Sequence, residues 1–170
     1  RIMPSGPATI KERKGIAAVH PRNDTLIDIL SHMGLKVFEL SDEEMMHAFT
    51  VGVCLPAALI VAGRKEKNVA QAARIIEKEY PGFEEIYVWA KDVLPNFDSD
   101  EELEEYVKRM STKGGITEAI VNSLNSGSTF LTALRCGIAR SREISCRAEQ
   151  ASNISSRQWK TSALPSYHRF

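Results

Sequence analysis

The residues Thr112, Lys113, Gly114, Gly115, Ile116 and Thr117 form the segment whose types and spacing come closest to chemistry. Two adjacent glycines lead into a helical pattern carried by Ile116, Ile120 and Leu124. Glycine lets another group approach the backbone closely. The first N–H groups of a helix lack intrahelical partners, and the helix dipole adds positive partial charge at that end. Such an end suits a small anion such as a carboxylate, with the Thr117 hydroxyl in the same first turn. The competing reading is a plain turn between two helices, capped by Thr112. On physics alone the turn reading carries more weight.

A second candidate is the segment Gly52-Val-Cys-Leu-Pro-Ala57, where Pro56 interrupts a long apolar helical stretch. A proline inside a helix removes a hydrogen bond and crowds the preceding turn, and Gly52 permits a bend beside it. Either a kinked core helix or a loop facing a ligand satisfies that pattern.

The elements that must position these residues follow from periodicity. Residues 15–19 form a short apolar strand, 24–33 a helix stopped by Gly34, and 36–40 an alternating strand, so 1–40 read as β-α-β, the end of an α/β unit. Ser41 to Glu44 and Ser99 to Glu102 have the form of capping boxes. Helices are expected over 68–79, 83–94 (Ile86, Trp89, Ala90 and Val93 inward), from 99 onward with Leu103, Tyr106, Val107 and Met110 on one face, and over 128–145. The domain reading is 1–40 α/β, 41–145 helical, and 146–170 a disordered tail rich in Ser, Arg, Gln and Asn.

Composition narrows the function. Of the residues, 43% are hydrophobic, enough for a core, and 22 basic residues balance 22 acidic ones. Nucleic-acid binding wants a clustered basic surface, so no such partner is expected. Cys54, Cys136 and Cys146 lack metal-ligand spacing, and no metal is expected. Three thiols without a signal peptide suggest the reducing cytoplasm. The longest apolar run, 51–62, falls short of the ~20 residues a membrane span requires, and no membrane partner is expected.

The Gly-Gly segment resembles the Ser-Pro-Gly-Gly-x-Thr motif of pyrroline-5-carboxylate reductases. Downstream, Leu124-Asn-Ser-Gly127, Phe130 and the ending Arg140-Ser-Arg-Glu143 are similar to that family's last two helices. Upstream, Met3-Pro-Ser-Gly-Pro7 resembles its Met-Pro-Asn-Thr-Pro segment, and Gly52-Val-Cys-Leu-Pro-Ala57 stands where the family has Ser-Gly-Ser-Gly-Pro-Ala. The resemblance spans about residues 1–145. It implies a mainly α fold: a helical C-terminal dimerisation domain preceded by the last β-α-β elements of a Rossmann-like α/β domain. It implies NADPH- or NADH-dependent reduction of 1-pyrroline-5-carboxylate to L-proline, in proline biosynthesis, by a homodimer or a higher oligomer. It implies a small-molecule substrate held by Thr112, Gly114, Gly115, Thr117, Gly52 and Pro56, with Pro4 and Ser5 toward the cofactor. No general acid is identified by it. The chain has no G-x-G-x-x-G, opens inside a motif, and reads as a fragment whose cofactor is bound mainly by an N-terminal domain missing here. Val53, Cys54 and Leu55 replace the family's hydroxyl and glycine positions. That departure leaves room for another imine or keto acid as substrate, or for an inactive homologue that keeps only the dimerisation role.

Overall fold

The computed structural model describes residues 1–63 and 68–162. It is mainly helical with a small three-stranded sheet, in the order β1 (Ile2–Pro4), β2 (Ile16–Val19), β3 (Lys36–Glu39). β1 pairs antiparallel with β2 (Ile2 opposite Val19), and β2 pairs parallel with β3 (Ile16 opposite Lys36). β2 is the central strand because all four of its residues are apolar, which suits a strand covered on both faces. Alternate side chains serve opposite layers. Ile16 and Ala18 pack with Met46, Phe49 and Ile86, whereas Ala17 and Val19 pack with Leu30 and Leu35.

Between β1 and β2 lies a short helix, α1 (Pro7–Lys11), with Pro7 at its first position. Neither β1 nor α1 is part of the sequence expectation, since three residues with a proline carry too little periodicity. The crossover from β2 to β3 is α2 (Asp24–His32). Asn23 caps it by accepting from the Leu26 N–H at 3.0 Å. Its end is a Schellman motif: Gly34 takes φ 81°, its N–H donates to Ser31, and the Leu35 N–H donates to Leu30. Leu30 and Leu35 then meet in one buried cluster.

From Met45 onward the described residues are helices and connecting turns: α3 (Met45–Val53), α4 (Leu55–Gly63), α5 (Val69–Glu79), α6 (Phe83–Asp92), α7 (Asp100–Met110), α8 (Ile116–Asn125) and α9 (Phe130–Ser162). α4 is apolar nearly all round and runs through the core, against α5, α6, α7 and α8. α8 and α9 pack closely because α9 carries Gly137 where a Cβ would stand 2.7 Å from Ile120. Phe130, Ala133, Leu134 and Ile138 bury the inner face of α9. No single described helix is long and apolar enough to cross a membrane. α3 and α4 reach that composition only together, bent by 60°.

Three expectations are corrected. The Ser41 to Glu44 segment does not cap a helix: Asp42 accepts from the Glu44 N–H at 2.8 Å in a separate turn, and α3 begins at Met45 without a side-chain cap. Trp89 and Val93 are partly exposed, while Ile86 and Ala90 are buried as expected. The last helix does not stop at 145. It continues to Ser162, and 163–170 lie outside the described residues. The second capping box forms as read, with Ser99 accepting from the Glu102 N–H at 3.2 Å. Glu102 reaches back to the Asp98 N–H at 3.1 Å.

Candidate functional site

The Gly-Gly segment folds into a turn that satisfies itself. Gly115 donates its N–H to the Thr112 carbonyl at 2.8 Å, and Gly114 sits at φ 70°. It is therefore the backbone of Thr112 that closes the turn; the cap of α8 is Gly115, with no side-chain bond from the Thr112 hydroxyl. Glu118, in the first turn of α8, reaches back and accepts from the Gly114 N–H at 2.7 Å. Arg140 donates to the Gly114 carbonyl from Nε at 2.8 Å. A carboxylate does bind at this helix start, but it belongs to the chain itself. Gly115 is required sterically: a Cβ there would stand 2.8 Å from the Thr112 carbonyl oxygen.

The other candidate segment contains no loop. α3 ends at Val53, Cys54 alone forms the joint, and α4 starts at Leu55. Pro56 thus falls in the first turn of α4, where a missing N–H costs nothing. Gly52 faces Ile86 of α6, whose Cγ2 would lie 2.4 Å from an added Cβ. It lets α3 and α6 pack closely.

Cys54, Pro56 and Thr117 do come together. They line one cavity of about 700 Å³ between the α/β unit and the helices. That volume lies within the range of small-molecule sites. Thr9, Glu12 and Lys14 close it from the side of α1. Trp89 of α6 and Leu94, just beyond its end, close it on another side, and Tyr106, Arg109 and Met110 close it from α7. The Trp89 indole N–H donates to the Lys14 carbonyl at 2.7 Å and pins that edge. Burial pushes the Cys54 thiol up from its ordinary pKa, and a hydrogen bond with Thr117 opposes the shift. Burial also raises the Tyr106 phenol, with Arg109 lowering it and Glu12 raising it. Arg109 stacks over the Tyr106 ring at 5.7 Å, and Tyr106 meets Phe97 edge-on at 5.3 Å.

Of the residues expected at the site, Pro56 and Thr117 line this cavity; Thr112, Gly114, Gly115 and Gly52 do not. Pro4 pairs with Ala17 in the sheet. The Ser5 hydroxyl is buried, accepting from the Ile16 N–H at 3.1 Å and sharing a bond with Thr9 at 2.8 Å. That hydroxyl is thus bonded within the fold, beside an α1 of five residues. Lys14, Tyr106 and Arg109 were not legible as site residues. Tyr106 reads as part of an apolar helix face, and the charged residues carry no spacing signal. Among the described residues, no cluster of His, Cys, Asp or Glu has the arrangement of a metal site. No known protein family, curated protein or solved structure matches this chain.

Proposed function

We propose that the chain is part of a pyrroline-5-carboxylate reductase-like oxidoreductase, which reduces the cyclic imine to L-proline with hydride from NADPH or NADH. One observation carries the reading. The α3–α4 joint and the first turn of α8, two segments that resemble the family's substrate motifs, face one cavity against the α/β unit. A small imino acid suits such a largely apolar space. Orienting its imine carbon toward a nicotinamide is the main service a protein renders when the cofactor supplies the hydride. The dinucleotide is assigned to a nucleotide-binding domain outside these 170 residues.

The test is growth. The complete reading frame, expressed in a proline-requiring bacterium that lacks its own reductase, should restore growth without proline. Failure with the protein present and folded overturns the reading.

A second reading, an inactive homologue that keeps only helical dimerisation, draws on the Gly114 N–H being closed by Glu118. It predicts a dimer in sedimentation analysis together with no rescue of growth. A monomer at tens of micromolar rejects it.

A further inference from the structure

The turn before α8 is held from outside as well as from within. Two glycines in a row have few steric restraints, so the peptide planes around Gly114 could rotate at little cost. Both planes are pinned. The first carries the Gly114 N–H, which donates to Glu118 at 2.7 Å. The second carries the Gly114 carbonyl and the Gly115 N–H. Its N–H donates to Thr112 at 2.8 Å, and its carbonyl accepts from Arg140, through Nε at 2.8 Å and also through Nη2. A charged donor makes a stronger bond to a carbonyl than a neutral one does. Arg140 belongs to α9, 26 residues away in the chain, and packing sets its reach. Gly137 lets α9 lie against Ile120 of α8, where a Cβ would stand 2.7 Å from that side chain. Arg140, almost a turn further along α9, arrives beside the start of α8. Glu143 accepts from its Nη1 at 2.8 Å and fixes the outer side of the guanidinium. A planar guanidinium bonded at all three nitrogens keeps one orientation. The effect extends to the cavity, because Thr117 lies two residues past Gly115. Thr117 is buried, bonds Cys54 and lines the cavity wall.

We propose that Arg140 is a positioning residue for this cavity: from α9 it fixes the Gly114–Gly115 peptide plane, and so sets where α8 begins and where Thr117 stands in the wall. The inference rests on reading the cavity as the substrate site. Arg140 does not line the cavity, so it acts through the turn. Glu118 holds the neighbouring plane from within α8 itself, whereas Arg140 ties the turn to a different helix. Loss of Arg140 therefore frees α8 to shift against α9, and Thr117 moves with it.

The experiment uses Arg140→Gln and Arg140→Lys in two settings. In the 170-residue chain, nuclear magnetic resonance follows amide hydrogen exchange at Gly115 and the resonance position of Thr117. The control is the amide of Ile76, which is fully buried in α5. Arg140→Gln should speed exchange at Gly115 about tenfold or more, the value of a lost charge-assisted bond, and displace the Thr117 resonance. Ile76 should not change. Arg140→Lys keeps a single cationic donor and should give a smaller change at both positions. In the complete reading frame, Arg140→Gln should raise KM for 1-pyrroline-5-carboxylate about tenfold and leave KM for the nicotinamide cofactor as it was. Unchanged exchange at Gly115 overturns the inference. Equal acceleration at Ile76 also overturns it, because Arg140 would then support the fold as a whole. So does faster exchange at Gly115 with both Michaelis constants unaltered. A complete protein without reductase activity rejects the proposed function; the hold of Arg140 on Thr117 is then decided by the Gly115 and Thr117 signals.

Discussion

The chain places glycine at two points of close approach, and the two solve different problems. Gly52 at the α3–α4 joint exists so that α6 can pack against α3: the space a side chain would fill belongs to Ile86. Gly114 and Gly115 exist so that the backbone can turn: one adopts positive φ, and the other lies against a carbonyl. At both points packing or backbone form within the chain accounts for the missing side chain. The difference shows that a missing side chain marks crowding first, and that only geometry says by what.

Substitutions separate the two. Gly52→Val should have the largest effect, because it forces bulk into a core contact already at its limit; about 3 kcal/mol of stability should go, read by urea denaturation. Gly115→Val should cost somewhat less, about 2 kcal/mol, since the clash is with one carbonyl at the protein surface and the turn can shift. If Gly115→Val left stability intact but abolished the growth rescue by the complete reading frame, the comparison would break and the turn would regain its role as an anion site. Gly114→Ala should cost about 1 kcal/mol, the penalty of placing a Cβ at positive φ. Glu118→Ala should cost a similar or smaller amount, about 1 kcal/mol, because it removes one helix-start bond from a solvent-accessible N–H. A thermal melt of each variant is sufficient to rank them.

The smallest effect concerns how α3 is tied to α9. His47 is buried, with Nδ1 2.9 Å from the Ser141 hydroxyl and Nε2 3.9 Å from Glu44. Burial lowers its pKa, opposed by Glu44 and Glu43 and reinforced by Arg1 and Arg142. The unfolded chain therefore takes up the proton first as pH falls. The contribution of neutral His47 is intact above about pH 6.5 and is lost as pH falls through the lowered folded value. Melting temperature should decline from pH 7 toward 5, and His47→Gln should flatten that decline. An unchanged slope in the variant would remove His47 from the account.

Much of the helical architecture was legible because its signals are local. Ser99 with Glu102, and Gly34 after α2, mark helix ends through bonds made within a few residues. The buried faces of α5, α8 and α9 follow the expected period of apolar residues. The Ser41 to Glu44 segment misled for the same reason: Asp42 offered a closer acceptor, and the segment turned once before the helix began. The extension of α9 past 145 was missed because polar residues carry no apolar period, although nothing in 146–162 breaks a helix.

The candidate site divides more sharply. The sequence alone determined that Thr117 stands in the first turn of a helix, since the Gly-Gly pair dictates backbone form locally; Pro56 read only as a break in an apolar helical stretch, and the structure made it a helix start. Only the tertiary structure decided that these two face one cavity and that Gly52 faces Ile86. It also brought Lys14, Trp89, Tyr106 and Arg109 to the cavity wall from elements far apart in the chain. Local backbone preference acts over a turn or two, so it is written in consecutive residues. A cavity is the space left where several packed elements fail to meet, and no run of consecutive residues encodes it.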